Sequence, residues 1–359
     1  MATGIISLDA RIAPKPPRPR IRLLIVDDSA VARAVLSRMI QQNPAFEIVD
    51  AVSGASEALA RLEAIAVDVI LLDLEMPGRT GISALPELIE KSGGARVMVV
   101  SARAEDGAAA TVEALTLGAA DTLAKPGRGS FGGKFAEILC DRLLRLGRMG
   151  PGRARDADFR AAPRRADPGR IECVAIGAST GGLHAIADFF AHLPAGFAAP
   201  ILITQHLPPV FMPFFARQLE GSTRRRALVV HDGMALAPAT IHLAPGDAHL
   251  CVERRGEGVF VRLSRARAVS GCLPSVDPMF DAVAAAYGDR AVGVVLSGMG
   301  RDGTIGAESL IAAGAELLAQ DAESSVVWGM PGSVAKAGLA SGVMTPGQIA
   351  RHIGQAARA

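Results

Sequence analysis

Aromatic side chains are scarce in this chain: Phe, Tyr and Trp make up 4% of its 359 residues, with one Trp and one Tyr. Ala, Val, Leu and Ile must therefore fill its cores. With half the residues hydrophobic, there is enough apolar material for sizeable ones. An excess of charge is also missing. The formal net charge is +2, so nothing demands a nucleic acid or an anionic membrane as partner. Cysteine pairs are absent: Cys140, Cys173, Cys251 and Cys272 are scattered, with no C-x-x-C spacing, which reads as apolar thiols in a reducing compartment. No apolar run approaches the roughly 18 residues of a membrane span, and the first residues carry no signal-peptide core. The expectation is a cytoplasmic protein with no membrane insertion.

The length suggests about two to three domains at ~100–200 residues each. Residues 1–20 end in Ala13-Pro14-Lys15-Pro16-Pro17-Arg18-Pro19-Arg20 and read as an extended, disordered lead-in. From Ile21 onward short apolar runs alternate with helical stretches. The runs are Leu23–Val26, Ile48-Val49, Val69–Leu72, Val97–Val100 and Thr122–Ala124, with helical periodicity over Ala30–Gln42, Ser56–Ile65 and Glu105–Leu117. Five βα units over 21–146 predict a doubly wound, five-stranded parallel sheet of the flavodoxin-like kind. Residues 147–169 are rich in Arg, Gly, Ala and Pro and read as a solvated linker. Residues 170–359 form a second α/β domain, with apolar runs at Cys173–Ile176, Pro200–Thr204, Ala227–Val230 and Val292–Leu296. The segment Thr240–Leu263, with a turn at Arg255–Gly258, reads as antiparallel hairpins.

Ligands of an open parallel sheet bind at the carboxyl ends of its strands. In the first domain Asp27 and Asp28 close one run, Asp73 another, Ser101 a third and Lys125 the last. Clustered carboxylates repel unless a cation neutralises them, and a set of oxygen donors suits Mg²⁺. A carboxylate beside Mg²⁺ can act as nucleophile and become an aspartyl phosphate. Lys125 would pair with the phosphoryl group and Ser101 would hydrogen-bond it.

In the second domain Gly177-Ala178-Ser179-Thr180-Gly181-Gly182 follows a strand and opens a helix. It reads as a phosphate cradle, as a nucleophile turn of G-x-S-x-G type, or as a plain turn capped by Ser. A cradle would want G-x-G-x-x-G or a Gly-Lys-Ser/Thr ending, and neither is present. His206 ends the next apolar run, where it can serve Ser179 as base. Asp302 follows the Gly-rich turn after Val292–Leu296, with Asp277 and Asp247 as weaker candidates for the acid. Chain order is then Ser, His, Asp, unlike an α/β-hydrolase, but triad logic is geometric and survives a change of order.

Residues 21–140 resemble the receiver domain of bacterial response regulators, through Leu24–Ser29, Leu72–Pro77, Gly81, Val100–Ala102 and Leu123–Pro126. The resemblance implies Asp73 as phosphoacceptor, Asp27 and Asp28 as Mg²⁺ ligands, the backbone of Glu75 as a further ligand, and a histidine kinase as phosphodonor. Thr122 departs from the aromatic switch residue that receivers often carry. Residues 171–355 resemble the catalytic domain of chemotaxis protein-glutamate methylesterases, through Gly177–Gly182, Gln205–Pro209, Leu243–Pro245, Pro274–Asp277, Ser297–Gly303 and Met330–Gly332. That resemblance implies methylated chemotaxis receptors as substrate, a possible deamidation of their glutamines, no cofactor for the esterase, and an unphosphorylated receiver that covers the site. Backbone amides near Thr180, Gly181 and Met299 are expected to bind the oxyanion. The alternative is a phosphorylation-switched binding scaffold whose second domain is not catalytic.

Overall fold

The computed structural model describes residues 19–101, 105–125, 133–148 and 171–357. Most of the lead-in and of the linker, together with Ala102 and Pro126, lie outside the described residues, as does the side chain of Ser101.

The first domain runs β1 (Ile21–Val26), α1 (Ala30–Gln41), β2 (Phe46–Val52), α2 (Ala55–Leu62), β3 (Val69–Leu72), α3 (Gly81–Lys91), β4 (Arg96–Ser101), α4 (Glu105–Thr116), β5 (Asp121–Ala124) and α5 (Gly133–Arg148). Its strands are parallel, in the order β2-β1-β3-β4-β5. The central strands β1 and β3 are apolar apart from Arg22 near the start of β1, because helices cover both faces. Helix α5 passes the boundary expected at residue 146. Leu139, Leu143 and Leu146 lie on one buried face, and Gly147 comes so close to Ile21 that a Cβ would clash with its side chain. The start assigned to the linker is thus the last turn of a packed helix.

The second domain continues β6 (Cys173–Ala178), α6 (Gly182–His192), β7 (Ile201–Gln205), α7 (Met212–Thr223), β8 (Ala227–Val229), β9 (Ile241–Leu243), β10 (His249–Arg255), β11 (Gly258–Ser264), α8 (Val276–Tyr287), β12 (Ala291–Val295), α9 (Thr304–Ala312), β13 (Glu316–Gln320), α10 (Met330–Lys336), β14 (Gly342–Met344) and α11 (Pro346–Ala356). Seven parallel strands lie in the order β14-β13-β12-β6-β7-β9-β8. The chain leaves β6 on one side for β7 and returns on the other as β12. The switch point therefore falls at the carboxyl end of β6, where such sheets bind ligands. Among the described residues only β10 and β11 form an antiparallel hairpin, turning at Arg255–Gly258 as expected. Ile241–Leu243 does not belong to it. That strand is buried on every residue and slots between β7 and β8, parallel to both.

A candidate active site beneath the first domain

Ser179 follows β6 directly. The turn after it needs a left-handed residue, supplied by Gly181 at φ 74°. The Ser179 amide donates to the Ser297 carbonyl at 3.0 Å, tying the turn to the loop after β12. Gly298 permits that closeness, since a Cβ there would meet the Ser179 Cβ at 3.0 Å. His206 follows β7, whose Gln205 pairs in register with Ala178. Its amide donates to the Ala178 carbonyl at 3.1 Å, and the Gln205 side chain donates to the Ser179 carbonyl at 2.9 Å. Neighbouring strands are ~4.8 Å apart, so residues one step beyond this register stand side by side at the rim. Both line a cleft of about 1150 Å³.

His206 Nε2 donates to Asp302 Oδ2 at 2.7 Å. That leaves Nδ1 as the ring nitrogen able to gain and lose a proton. Asp302 is buried and accepts from many donors: Ser275 Oγ at 2.6 Å, the Val276 amide at 2.7 Å and its neighbour Gly303's amide at 3.1 Å. Burial disfavours its charge, but the His206 ring, the Ser275 hydroxyl and the Val276 amide outweigh that and hold the carboxyl well below the usual carboxylate range. Burial likewise opposes protonation of His206. The Asp302 carboxylate and the Cys272 sulfur prevail there and push its pKa up to about 9.

The other acids named from sequence fall away. Asp277 is buried, accepts from the Gly306 amide at 2.9 Å, and has its carboxyl raised by burial and by repulsion from Asp302. Asp247 is in an exposed ion pair with Arg265 at 2.9 Å. Two supporting residues escaped the sequence reading. Ser275, present there only within the Pro274–Asp277 match, is wholly buried and spends its hydroxyl on Asp302. His249 accepts from the Ser275 amide at 2.9 Å and fixes that segment. The one available signal was Ser275's place just before a helix start.

In the first domain Asp27 and Asp73 are buried, Asp28 is exposed, and one oxygen of each lies within 4.8 Å of the others. Lys125 Nζ stands 2.7 Å from Asp73 Oδ2 and 2.9 Å from Asp27 Oδ2. The second contact is an ion pair without hydrogen-bond geometry. Three carboxylates gathered on a single ammonium fit a hard divalent cation. Burial raises the Asp73 carboxyl, with Lys125 opposing and Asp27 adding to the rise. Ser101 does end β4, and Thr122 is buried on β5 with its carbonyl accepting from Arg142.

The two domains meet over the cleft. Helix α4 packs on α6 and α7, and Leu115 and Ala119 share an apolar cluster with Leu183 and Leu207. The Ala120 carbonyl accepts from the Gly181 amide at 2.9 Å, and the Thr116 carbonyl is 3.0 Å from His184 Nδ1. Arg145 on α5 reaches the Met299 sulfur at 3.1 Å. Gly181, expected as an oxyanion donor, has its amide occupied by the neighbouring domain in this arrangement.

A receiver-like sheet resting on the rim where Ser, His and Asp converge is the architecture of a phosphorylation-regulated hydrolase. The chain belongs to the CheB methylesterase family, whose model matches residues 174–353, and it carries a response regulator receiver domain, matched over 23–130. The protein-glutamate methylesterase/protein-glutamine glutaminase 2 of Caulobacter vibrioides is 41% identical over 348 residues, covering 94% of this chain and 99% of that protein. A protein of the same activity name from Paramagnetospirillum magneticum is 35% identical, covering 95% and 97%. The crystal structure of the Thermotoga maritima CheB methylesterase catalytic domain superposes with a TM-score of 0.50 at 35% identity, covering 51% of this chain and 96% of that one.

Proposed function

We propose that this chain removes methyl groups from glutamyl methyl esters on methylated chemotaxis receptors, and deamidates receptor glutamines, under control of Asp73 phosphorylation by a histidine kinase in the cytoplasm. The single observation that carries this reading is the 2.7 Å His206–Asp302 bond at the strand ends next to Ser179. Ser179 Oγ attacks the ester carbonyl while His206 Nδ1 takes its proton. His206 then gives that proton to departing methanol, or to ammonia when the substrate is glutamine. Water enters and attacks the acyl-serine as His206 takes its proton; His206 then returns that proton to Ser179 Oγ as the acyl–oxygen bond breaks and glutamate is released. Asp302 holds the ring and stabilises the imidazolium. Thr180 and Met299 amides are the candidate oxyanion donors, joined by Gly181 once Ala120 withdraws; one such donor is worth about 10²–10³ in rate.

The contacts of Ala120, Thr116 and Arg145 make the closed state inactive, because they occupy a turn amide and roof the cleft. Phosphorylation must then favour the open state by its differential affinity. Asp27, Asp28, Asp73 and the Glu75 carbonyl would hold Mg²⁺, which when bound neutralises the carboxylates and the incoming phosphoryl oxygens. Lys125 would pair with the phosphoryl group and Ser101 would report it. A non-catalytic scaffold would have no need of an acid gripped by as many donors as Asp302.

The test is methanol release from methylated receptor, with and without a small-molecule phosphodonor. Ser179→Ala should abolish release, by about 10⁶-fold on the precedent of serine nucleophiles. Undiminished release in that variant would place the nucleophile elsewhere.

A further inference from the structure

Cys272 is not a member of the proposed triad, yet it lines the same cleft as Ser179 and His206. It sits on the loop between β11 and α8, half-buried, whereas Cys173 and Cys251 are buried. A ring nitrogen of His206, the Cys272 sulfur and a carboxylate oxygen of Asp302 all lie within 4.8 Å of one another. We propose that these three side chains form a Zn²⁺ site whose occupation switches the hydrolase off.

The donor set argues for zinc over the hard cation of the first domain. One imidazole nitrogen, one thiolate and one carboxylate oxygen are a borderline-soft set, while Asp27, Asp28 and Asp73 offer oxygen alone. Three protein ligands leave a fourth tetrahedral position for water, the usual form of an accessible zinc site. Zinc bonds of about 2.0–2.3 Å place tetrahedral ligands roughly 3.3–3.7 Å apart. The present spacings approach that from both sides. The 2.7 Å His206–Asp302 contact must open slightly, and Cys272 must draw in by at most about an ångström. Asp302 is the rigid member, held by Ser275 and Val276. The Cys272 loop is the yielding one: Val269 is 86% exposed, and the Cys272 sulfur, already turned toward His206, is tied to its own loop by a 4.0 Å contact to the Ser270 carbonyl. A cation seated there takes the imidazole and separates it from its carboxylate, so Ser179 loses its base.

The inhibitory half rests on the proposed triad; the binding half does not. The experiment uses the full chain stripped by chelator, with Co²⁺ as spectroscopic probe and Zn²⁺ titrated against methanol release. The wild type should show a thiolate-to-cobalt charge-transfer band, which oxygen ligands of the first domain cannot produce. Release should fall about tenfold when free Zn²⁺ is ten times its Kd and return with chelator. Cys272→Ala should lose the band and the zinc sensitivity while still turning over substrate, and Cys140→Ala should keep both. Absence of the band in wild type, or equal zinc inhibition of Cys272→Ala, overturns the site. A Cys272-dependent band with unaffected hydrolysis overturns the inhibition; His206→Ala activity, measured alongside, tells whether the triad fails with it.

Discussion

Two buried carboxylates, each against a basic side chain, end up on opposite sides of the ordinary range. Asp73 faces Lys125 at 2.7 Å and its carboxyl is raised; Asp302 faces His206 at 2.7 Å and its carboxyl is lowered. Burial pushes both the same way, so burial is not what separates them. The difference lies in the remaining donors. Asp302 accepts from a hydroxyl and several amides, whereas Asp73 has one long amide contact from Glu75 at 3.4 Å and an acidic neighbour in Asp27. A saturated carboxylate is a fixed anion, suited to orient a histidine. An undersatisfied one keeps free lone pairs, suited to attack phosphorus.

The sharpest way to break that contrast is to neutralise each acid in turn. Asp302→Asn should lower kcat by about 10⁴, since the ring loses its orienting anion. Asp73→Asn should leave basal methanol release intact and remove only the response to phosphodonor. In denaturant unfolding Asp302→Asn should lose about 1–3 kcal/mol, because the Ser275 hydroxyl and the Val276 amide lose their charged acceptor, while Asp73→Asn should be neutral or slightly stabilising. Equal losses in the two variants would mean that the donor count does not matter.

The pH profile tests the same point from the histidine side. With His206 raised from 6.5 to about 9, the imidazolium dominates at neutral pH, so kcat/KM should climb as pH rises through the folded value. A plateau already reached at the ordinary histidine value would deny Asp302 its grip. The same shift adds stability below the unfolded pKa, which is lost as pH rises toward about 9.

The smallest effect belongs to the interface. His184→Ala removes one contact to the Thr116 carbonyl. A hydrogen bond of about 1 kcal/mol shifts the closed–open balance by about fivefold at most, so unphosphorylated release should rise by no more than that.

Much of the site was legible because strand ends advertise themselves. Each functional side chain terminates a short apolar run or the turn after it, and parallel topology gathers those ends on one rim. Ile241–Leu243 misled because a three-residue buried strand has too little period to say which way its neighbours run. The end of α5 misled because Gly147 and Arg148 look like linker until Ile21 is seen packed against Gly147. Ser275 went unassigned because the chain does not show that its hydroxyl points at Asp302.

The residue order alone pointed to two α/β units, to the five positions of the acidic pocket, and to Ser179 and His206 with Asp302 as the leading of three candidate acids, since residue types at strand ends are local facts. Tertiary structure alone decided that Ala120 occupies the Gly181 amide, that Asp302 is saturated where Asp73 is not, and that Cys272 shares the cleft with His206. Those depend on which distant backbone and side-chain groups meet, and such meetings are set by packing between elements far apart in the chain.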